Sequence, residues 1–160
     1  MRTLYLVRHA KSGHDEYVPS DLIRHLSARG YDDAITAAQH LKRQGVSPAK
    51  IVSSPAVRTW STALVIAEQL DYPVSEIVQD ASIYEAPLRN LTEAVVRTDD
   101  RFDSMLLVGH NPGMTLLTNY LCGNVIMSFP TAAVACISMP VDAWNEVSAG
   151  CANLDWMFTV

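Results

Sequence analysis

Short β-rich apolar runs alternate along the chain with longer stretches at helical spacing, and this alternation predicts a mostly parallel central sheet with helices on both faces. Residues 3–7 read as a buried strand. Residues 27–44 carry apolar positions at Ala28, Tyr31, Ala34, Ile35, Ala38 and Leu41, a helical stripe ended by Gly45. A second short strand is expected at 50–53, followed by a helix over 57–70 with Pro55 near its start and Asp71-Tyr72-Pro73 as its stop. Residues 74–78 fit a short edge strand, 88–97 a helix and 104–108 another buried strand. Beyond Gly109-His110-Asn111-Pro112-Gly113 a helix is expected over 112–121. The last part changes character: 133–139 reads as a strand, with edge pairing expected from 144–147 and 154–158. There is no internal repeat, low-complexity tract or linker.

The 160 residues suit one domain spanning 1–160, with 49% apolar and 18% charged residues placing it among globular chains. No apolar run approaches the roughly 20 residues that span a bilayer, and the first residues meet Arg8 too soon for a secretory leader, so a cytoplasmic location is expected. Cys122, Cys136 and Cys151 match no metal-ligand spacing and read as buried free thiols. A net charge of -5 argues against nucleic acid or anionic membrane as a partner. An anionic substrate would have to be captured by a local cluster of cations.

Such a cluster is available. In an open α/β sheet, ligands gather at the carboxyl ends of the strands. Arg8-His9 closes the first strand, Ser53-Ser54-Pro55 with Arg58 follows the second, and Gly109-His110-Asn111 follows the strand at 104–108. Two arginines and two histidines from distant parts of the chain would meet at one edge, an environment suited to a dianionic phosphoryl group. A neutral imidazole attacks phosphorus at neutral pH if its other nitrogen is held by a fixed acceptor. Arginine forks hold the equatorial oxygens, and positioning plus charge stabilisation is most of what phosphoryl transfer requires.

These blocks resemble a known family. Leu6-Val7-Arg8-His9-Ala10-Lys11-Ser12 is similar to the signature of the histidine phosphatase superfamily, with Ala10 where many members have glycine. The Ala-Lys-Ser ending resembles the small bacterial phosphohistidine phosphatases of the SixA type. The likeness continues through Leu26-Ser27-Ala28-Arg29-Gly30, Ser53-Ser54-Pro55-Ala56-Val57-Arg58-Thr59 with Thr62-Ala63, Val108-Gly109-His110-Asn111-Pro112-Gly113, and Pro130-Thr131. The blocks stand in family order over nearly the whole chain. The resemblance implies a three-layer α/β/α, phosphoglycerate mutase-like fold. It implies His9 as the nucleophile that becomes phosphorylated, Arg8 and Arg58 as phosphate ligands, and His110 as the second histidine at the transferring group. Glu85 sits where other branches place the carboxylate that protonates the leaving group, with Asp21 and Asp80 as substitutes. Ser12 and Asn111 complete the expected phosphate-binding set. His25 departs from the proline usual before Leu26-Ser27.

The substrate implied is a phosphohistidine on a partner protein, with no cofactor. The alternatives are a phosphatase for small phosphate esters and a weakly catalytic phosphoprotein-binding module. Metal chemistry is disfavoured because no His-Glu-x-x-His or Cys-x-x-Cys spacing occurs and two site arginines would repel a divalent cation. No P-loop or dinucleotide fingerprint is present. His14, His25 and His40 read as bystanders, Lys11 and Arg24 as solvated charges near the pocket edge, and Trp60, Trp144 and Trp156 as packing residues.

Overall fold

A computed structural model of the chain describes residues 1–13 and 20–160; His14 lies outside them. The elements are β1 (Arg2–Arg8), α1 (Ala28–Arg43), β2 (Lys50–Ser53), α2 (Val57–Gln69), β3 (Val78–Gln79), α3 (Leu88–Val96), β4 (Ser104–Gly109), α4 (Gly113–Cys122), β5 (Val134–Met139) and β6 (Asn153–Phe158). All the strands join one sheet in the order β3-β2-β4-β1-β5-β6. The first four strands pair in parallel, each connected to the next through a helix, as parallel neighbours require. β5 runs antiparallel to β1, and β6 antiparallel to β5.

Alternation along the central strands divides the core into two layers. Leu4, Leu6, Met105 and Leu107 pack on one face with residues of α3 and α4. Val7, Ile51, Leu106 and Val108 pack on the other with residues of α1 and α2. Leu6 and Leu107, directly opposed in the β1–β4 register, are wholly buried. Truncating either to Ala would cost about 2–5 kcal/mol. Trp144 is buried in the first of these layers, while Trp60 and Trp156 pack half-buried against the second.

Several sequence expectations are corrected here. On α1 the buried face is Gly30, Ala34, Ala37, Ala38 and Leu41, whereas Ala28, Tyr31 and Ile35 are exposed. Small residues face inward because α1 packs closely against α2. Residues 144–147 are not an edge strand: Trp144–Glu146 is a 3-10 turn, held by Trp144 Nε1 donating to Phe102 O at 2.7 Å and by Glu146 capping the Ala143 amide. Similarly, Val74–Glu76 is a 3-10 turn and only Val78–Gln79 pairs with β2. Of the cysteines, Cys136 is buried and Cys122 and Cys151 are half-buried, all as free thiols. No helix among the described residues is long and apolar enough to cross a membrane.

The segment after β1 is anchored by the start of α1. Ser27 donates its amide to Lys11 O at 2.9 Å, and its Oγ accepts from Gly30 N. A Cβ on Gly30 would lie 2.0 Å from Lys11 O, so the approach of helix to loop requires glycine there. Ser12 bridges Leu26, and Gly13 N donates to His25 O at 3.0 Å. Histidine replaces the expected proline at this point without loss of the pairing, which uses only its carbonyl.

Candidate active site

The register of the central strands assembles the site. Arg8 lies opposite Gly109 across β1 and β4, so His9 and His110 are the first residues beyond a matched pair of strand ends. Ser53 lies opposite Val108 across β2 and β4, and Ser54 N donates to Val108 O at 3.2 Å. Ser54, His110 and His9 thus stand in a row along one sheet edge. The chain then enters α2, which brings Arg58 into its first turn, where the free amides of a helix start favour an anion. Thr62 ties two motifs together, accepting from Ala10 N at 3.0 Å and donating to Arg58 O at 2.8 Å.

Arg8, His9, Arg58 and His110 line one cavity of about 400 Å³, and Ser12 and Asn111 share its wall. The histidine ring centroids are 5.5 Å apart. Nδ1 of His9 lies 2.7 Å from Ala10 O, which only accepts, so the proton sits on Nδ1 and Nε2 keeps its lone pair. Burial, aided by Arg58 and Arg8 against the opposing pull of that hydrogen bond, lowers the His9 pKa to about 4. The ring is neutral at pH 7, as a nucleophile must be.

His110 has the reverse tautomer. Arg58 Nη2 lies 3.3 Å from His110 Nδ1 and can only donate, so Nδ1 accepts and Nε2 carries the proton facing Ser54 Oγ at 2.8 Å. Burial first, then Arg58 and His9, push its pKa down to about 3. Tyr84 meets the ring edge-on, with centroids 5.3 Å apart.

Arg58 is almost fully buried and is fixed by Asp21 as well as by His110. Its Nη1 donates to Asp21 O and its Nη2 to Asp21 Oδ2, both at 2.9 Å. The same Oδ2 accepts from Tyr84 OH at 2.6 Å, and Arg24 meets the other oxygen at 3.0 Å. The hydrogen bond from Tyr84, with those from Arg58 and the charge of Arg24, holds the Asp21 carboxyl below its ordinary range despite partial burial. A carboxylate so held favours its ionised form, which suits Asp21 to holding Arg58 in place. Asp80 stands apart from the site: it caps the turn at Ala81–Ile83, pairs with Arg97 and does not line the cavity. Glu85 does line it. Its side chain is exposed, with Oε1 3.6 Å from Arg58 Nη2, and its backbone has φ +45°, the left-handed region that a residue with a side chain rarely adopts.

Two expected ligands have structural tasks as well. Asn111 Oδ1 accepts from Thr115 N at 3.1 Å, capping the start of α4, while its Nδ2 donates to Phe129 O. Arg8 Nη1 donates to the same carbonyl at 3.0 Å, whereas Arg8 Nε and Arg58 Nε are buried without a partner among the described residues. Lys11 and Arg24, expected as solvated charges, both line the cavity, as does Thr131. His25 is exposed, and His40 stacks on Phe158, away from the site. Sequence reasoning missed Ser54 and Tyr84 as site residues. Ser54 carried a signal, its place in the Ser-Ser-Pro block; Tyr84 had none beyond its neighbour Glu85. Among the described residues no group of three His, Cys, Asp or Glu side chains is placed to hold a metal ion.

Comparison with known proteins identifies the family and the fold. The family model for the histidine phosphatase superfamily (branch 1) matches residues 4–93. The mitochondrial serine/threonine-protein phosphatase Pgam5 of Drosophila virilis is 26% identical over an alignment of 187 residues, covering 98% of this chain and 58% of the relative. The chain therefore spans well under two thirds of that relative's length. Among solved structures, the protein histidine phosphatase SixA complexed with tungstate superposes with a TM-score of 0.84 at 22% identity, over 98% of this chain and 96% of that one. A mycobacterial glucosyl-3-phosphoglycerate phosphatase with VO3 gives 0.73 at 17% identity, over 98% of each chain. These structural likenesses show the fold, the phosphoglycerate mutase-like arrangement expected from the sequence.

Proposed function

Because this chain belongs to the histidine phosphatase superfamily, we propose that residues 1–160 form one phosphatase domain working without a metal through a phosphohistidine intermediate on His9. The observation that carries the reading is the orientation of His9. Its proton is committed to Ala10 O, and its free Nε2 belongs to a cavity walled by Arg8, Arg58 and His110. The charges in that wall suit a tetrahedral oxyanion and repel a divalent cation.

In the first half-reaction the Nε2 lone pair of His9 forms a bond to phosphorus while the bond from phosphorus to the leaving atom breaks. The departing pair takes a proton. Arg8 and Arg58 neutralise the equatorial oxygens, and the dianion raises the pKa of His110 so that Nδ1 takes up a proton and becomes a donor to it. In the second half-reaction water attacks phosphorus, the P–Nε2 bond breaks, and its electron pair returns to His9. Inorganic phosphate and the free leaving group are the products. Glu85, at the cavity rim, is the acid in the first step and the base in the second.

The preferred substrate is a phosphohistidine on a partner protein, whose departing imidazole is readily protonated near neutral pH and needs little help from Glu85. A small phosphate ester is the second reading, favoured by a cavity large enough for a compact leaving group and by the fold shared with the glucosyl-3-phosphoglycerate phosphatase. A cytoplasmic location suits the three free thiols.

Incubation with phosphoramidate or para-nitrophenyl phosphate in the presence of a chelator is expected to release phosphate and leave a transient acid-labile label on His9. His9→Ala should abolish both; a binding module would keep phosphate affinity without turnover. Glu85→Gln should slow ester hydrolysis by about 10²-fold or more and phosphoramidate hydrolysis far less. Equal losses would remove Glu85 from its role as acid.

A further inference from the structure

A second cavity, of about 500 Å³, opens beside the first and shares Glu85, His110 and Asn111 with it. Its remaining wall is apolar, formed by Ile83, Pro87, Leu91 and Leu116 among others. Leu116 is half exposed on α4. One turn further along the helix, Asn119 holds the following loop: its Oδ1 accepts from Val125 N and Ile126 N at 2.9 and 3.0 Å, and its Nδ2 donates to Ile126 O at 2.9 Å. The other end of that loop is fixed at the phosphate cavity, where Phe129 O accepts from Arg8 and Asn111.

The loop nevertheless presents Val125 half exposed and Met127 fully exposed to solvent. Residues 123–128 include no charged side chain. Apolar side chains held outward by a bonded backbone, beside an apolar cavity that opens onto a cationic one, mark a contact surface rather than scattered surface residues. A small ester would reach the cavities only. Covering Val125 and Met127 requires a larger occupant whose phosphoryl group is already anchored next door.

We infer that Leu116, which lines the Ile83–Pro87–Leu91 cavity, together with Val125 and Met127 on the loop tied to Asn119 and Asn111, forms the docking surface for a polypeptide that carries apolar side chains beside its phosphohistidine. This deepens the phosphatase reading and rests on it. The surface acts on affinity: apolar side chains flanking the phosphorylated residue leave water against the strip, while the reacting atoms meet only Arg8, His9, Arg58 and His110. Substrates with polar flanks, or none, lose that contribution without any change in the chemical step.

The test compares three substrates: free phosphohistidine and two phosphohistidine peptides of equal length and charge, one flanked by Leu and Phe, the other by Ser and Gln. The apolar-flanked peptide is expected to have a KM at least tenfold lower than the polar-flanked one, with similar kcat. Val125→Asp/Met127→Asp should erase that difference and leave turnover of free phosphohistidine unchanged. Equal KM values for the two peptides, or a preference that survives in the variant, would overturn the docking surface. So would a wild-type chain that sediments as a dimer and becomes monomeric as Met127→Asp, since the strip would then be covered by a second copy. Absence of any phosphohistidine turnover by a wild type that still hydrolyses para-nitrophenyl phosphate would overturn the docking surface along with its substrate, whereas loss of turnover on both would defeat the phosphatase reading itself.

Discussion

Arg58 owes its position to a carboxylate that takes no part in the proposed bond changes. Its guanidinium carries a permanent charge and is nearly fully buried, so it needs a partner that is both anionic and fixed. Asp21 is that partner, and Tyr84 OH holds its Oδ2 from the other side. Asp21→Asn keeps the shape and removes the charge. Because Asp21 is itself partly exposed, the loss should fall at the low end for charge-assisted hydrogen bonds, about tenfold in kcat/KM. Tyr84→Phe should cost less. The loss should be the same for phosphoramidate and for para-nitrophenyl phosphate, because positioning Arg58 serves both; a loss confined to the ester would mark Asp21 as the acid after all. The sequence could offer Asp21 only as one carboxylate among several candidates. What separates it from Glu85, which also faces Arg58, is the second arginine at Arg24 and above all the Tyr84 hydroxyl, which reaches it from 63 residues away in the chain.

Strands and helices were legible where periodicity and punctuation agreed. The apolar runs that became β1, β2, β4 and β5 and the four helices fall within a few residues of their expected places, because a strand buried on both faces and a helix with a Ser or Pro start leave strong local marks. The turns at Val74–Glu76 and Trp144–Glu146 were not legible as such. Trp144 sits in its turn because Asp100 and Phe102, more than 40 residues earlier, accept its two N–H groups, and no local pattern encodes that. The loop after β1 is an intermediate case: the Leu-Ser-Ala-Arg-Gly block was visible, but its reason, the contact of Gly30 with Lys11 O, is tertiary. Gly30→Ala should therefore act at two places. Overpacking against backbone should lower stability by about 1–3 kcal/mol, seen as a reduced urea midpoint. Displacement of Lys11 and Ser12 should reduce kcat/KM while the far side of the sheet keeps its amide-exchange protection. A variant with wild-type activity and midpoint would mean that the loop can retreat without disturbing the cavity wall.

At the scale of the whole molecule, bringing two imidazoles among arginines at a buried edge makes stability depend on pH. His9 and His110 have folded pKa values of about 4 and about 3, below the ordinary 6.5 of an imidazole in the unfolded chain. Between those limits the unfolded state binds more protons, so stability is fully present above pH 6.5 and is lost as pH falls toward 3. The depressed carboxyls of Asp21 and Asp80 act in the same direction but only once pH enters the carboxylate range near 4 and below. Above pH 4 the imidazoles therefore dominate: His110→Gln should reduce the decline of the urea midpoint between pH 6.5 and 4, leaving the part due to His9, and should leave the carboxyl part of the decline below pH 4 in place. An oxyanion adds an opposing term. Phosphate or tungstate bound only by the folded chain stabilises it by about 2.7 kcal/mol at one hundred times its dissociation constant. If the anion draws a proton onto His110 Nδ1, its affinity must rise as pH falls through the raised pKa of the complex, with proton uptake measurable by calorimetry in buffers of different ionisation enthalpy. In His110→Gln that uptake should vanish and the affinity should lose most of its pH dependence. Uptake undiminished in the variant would transfer the proton to His9 and leave the site without a neutral nucleophile in the presence of phosphate.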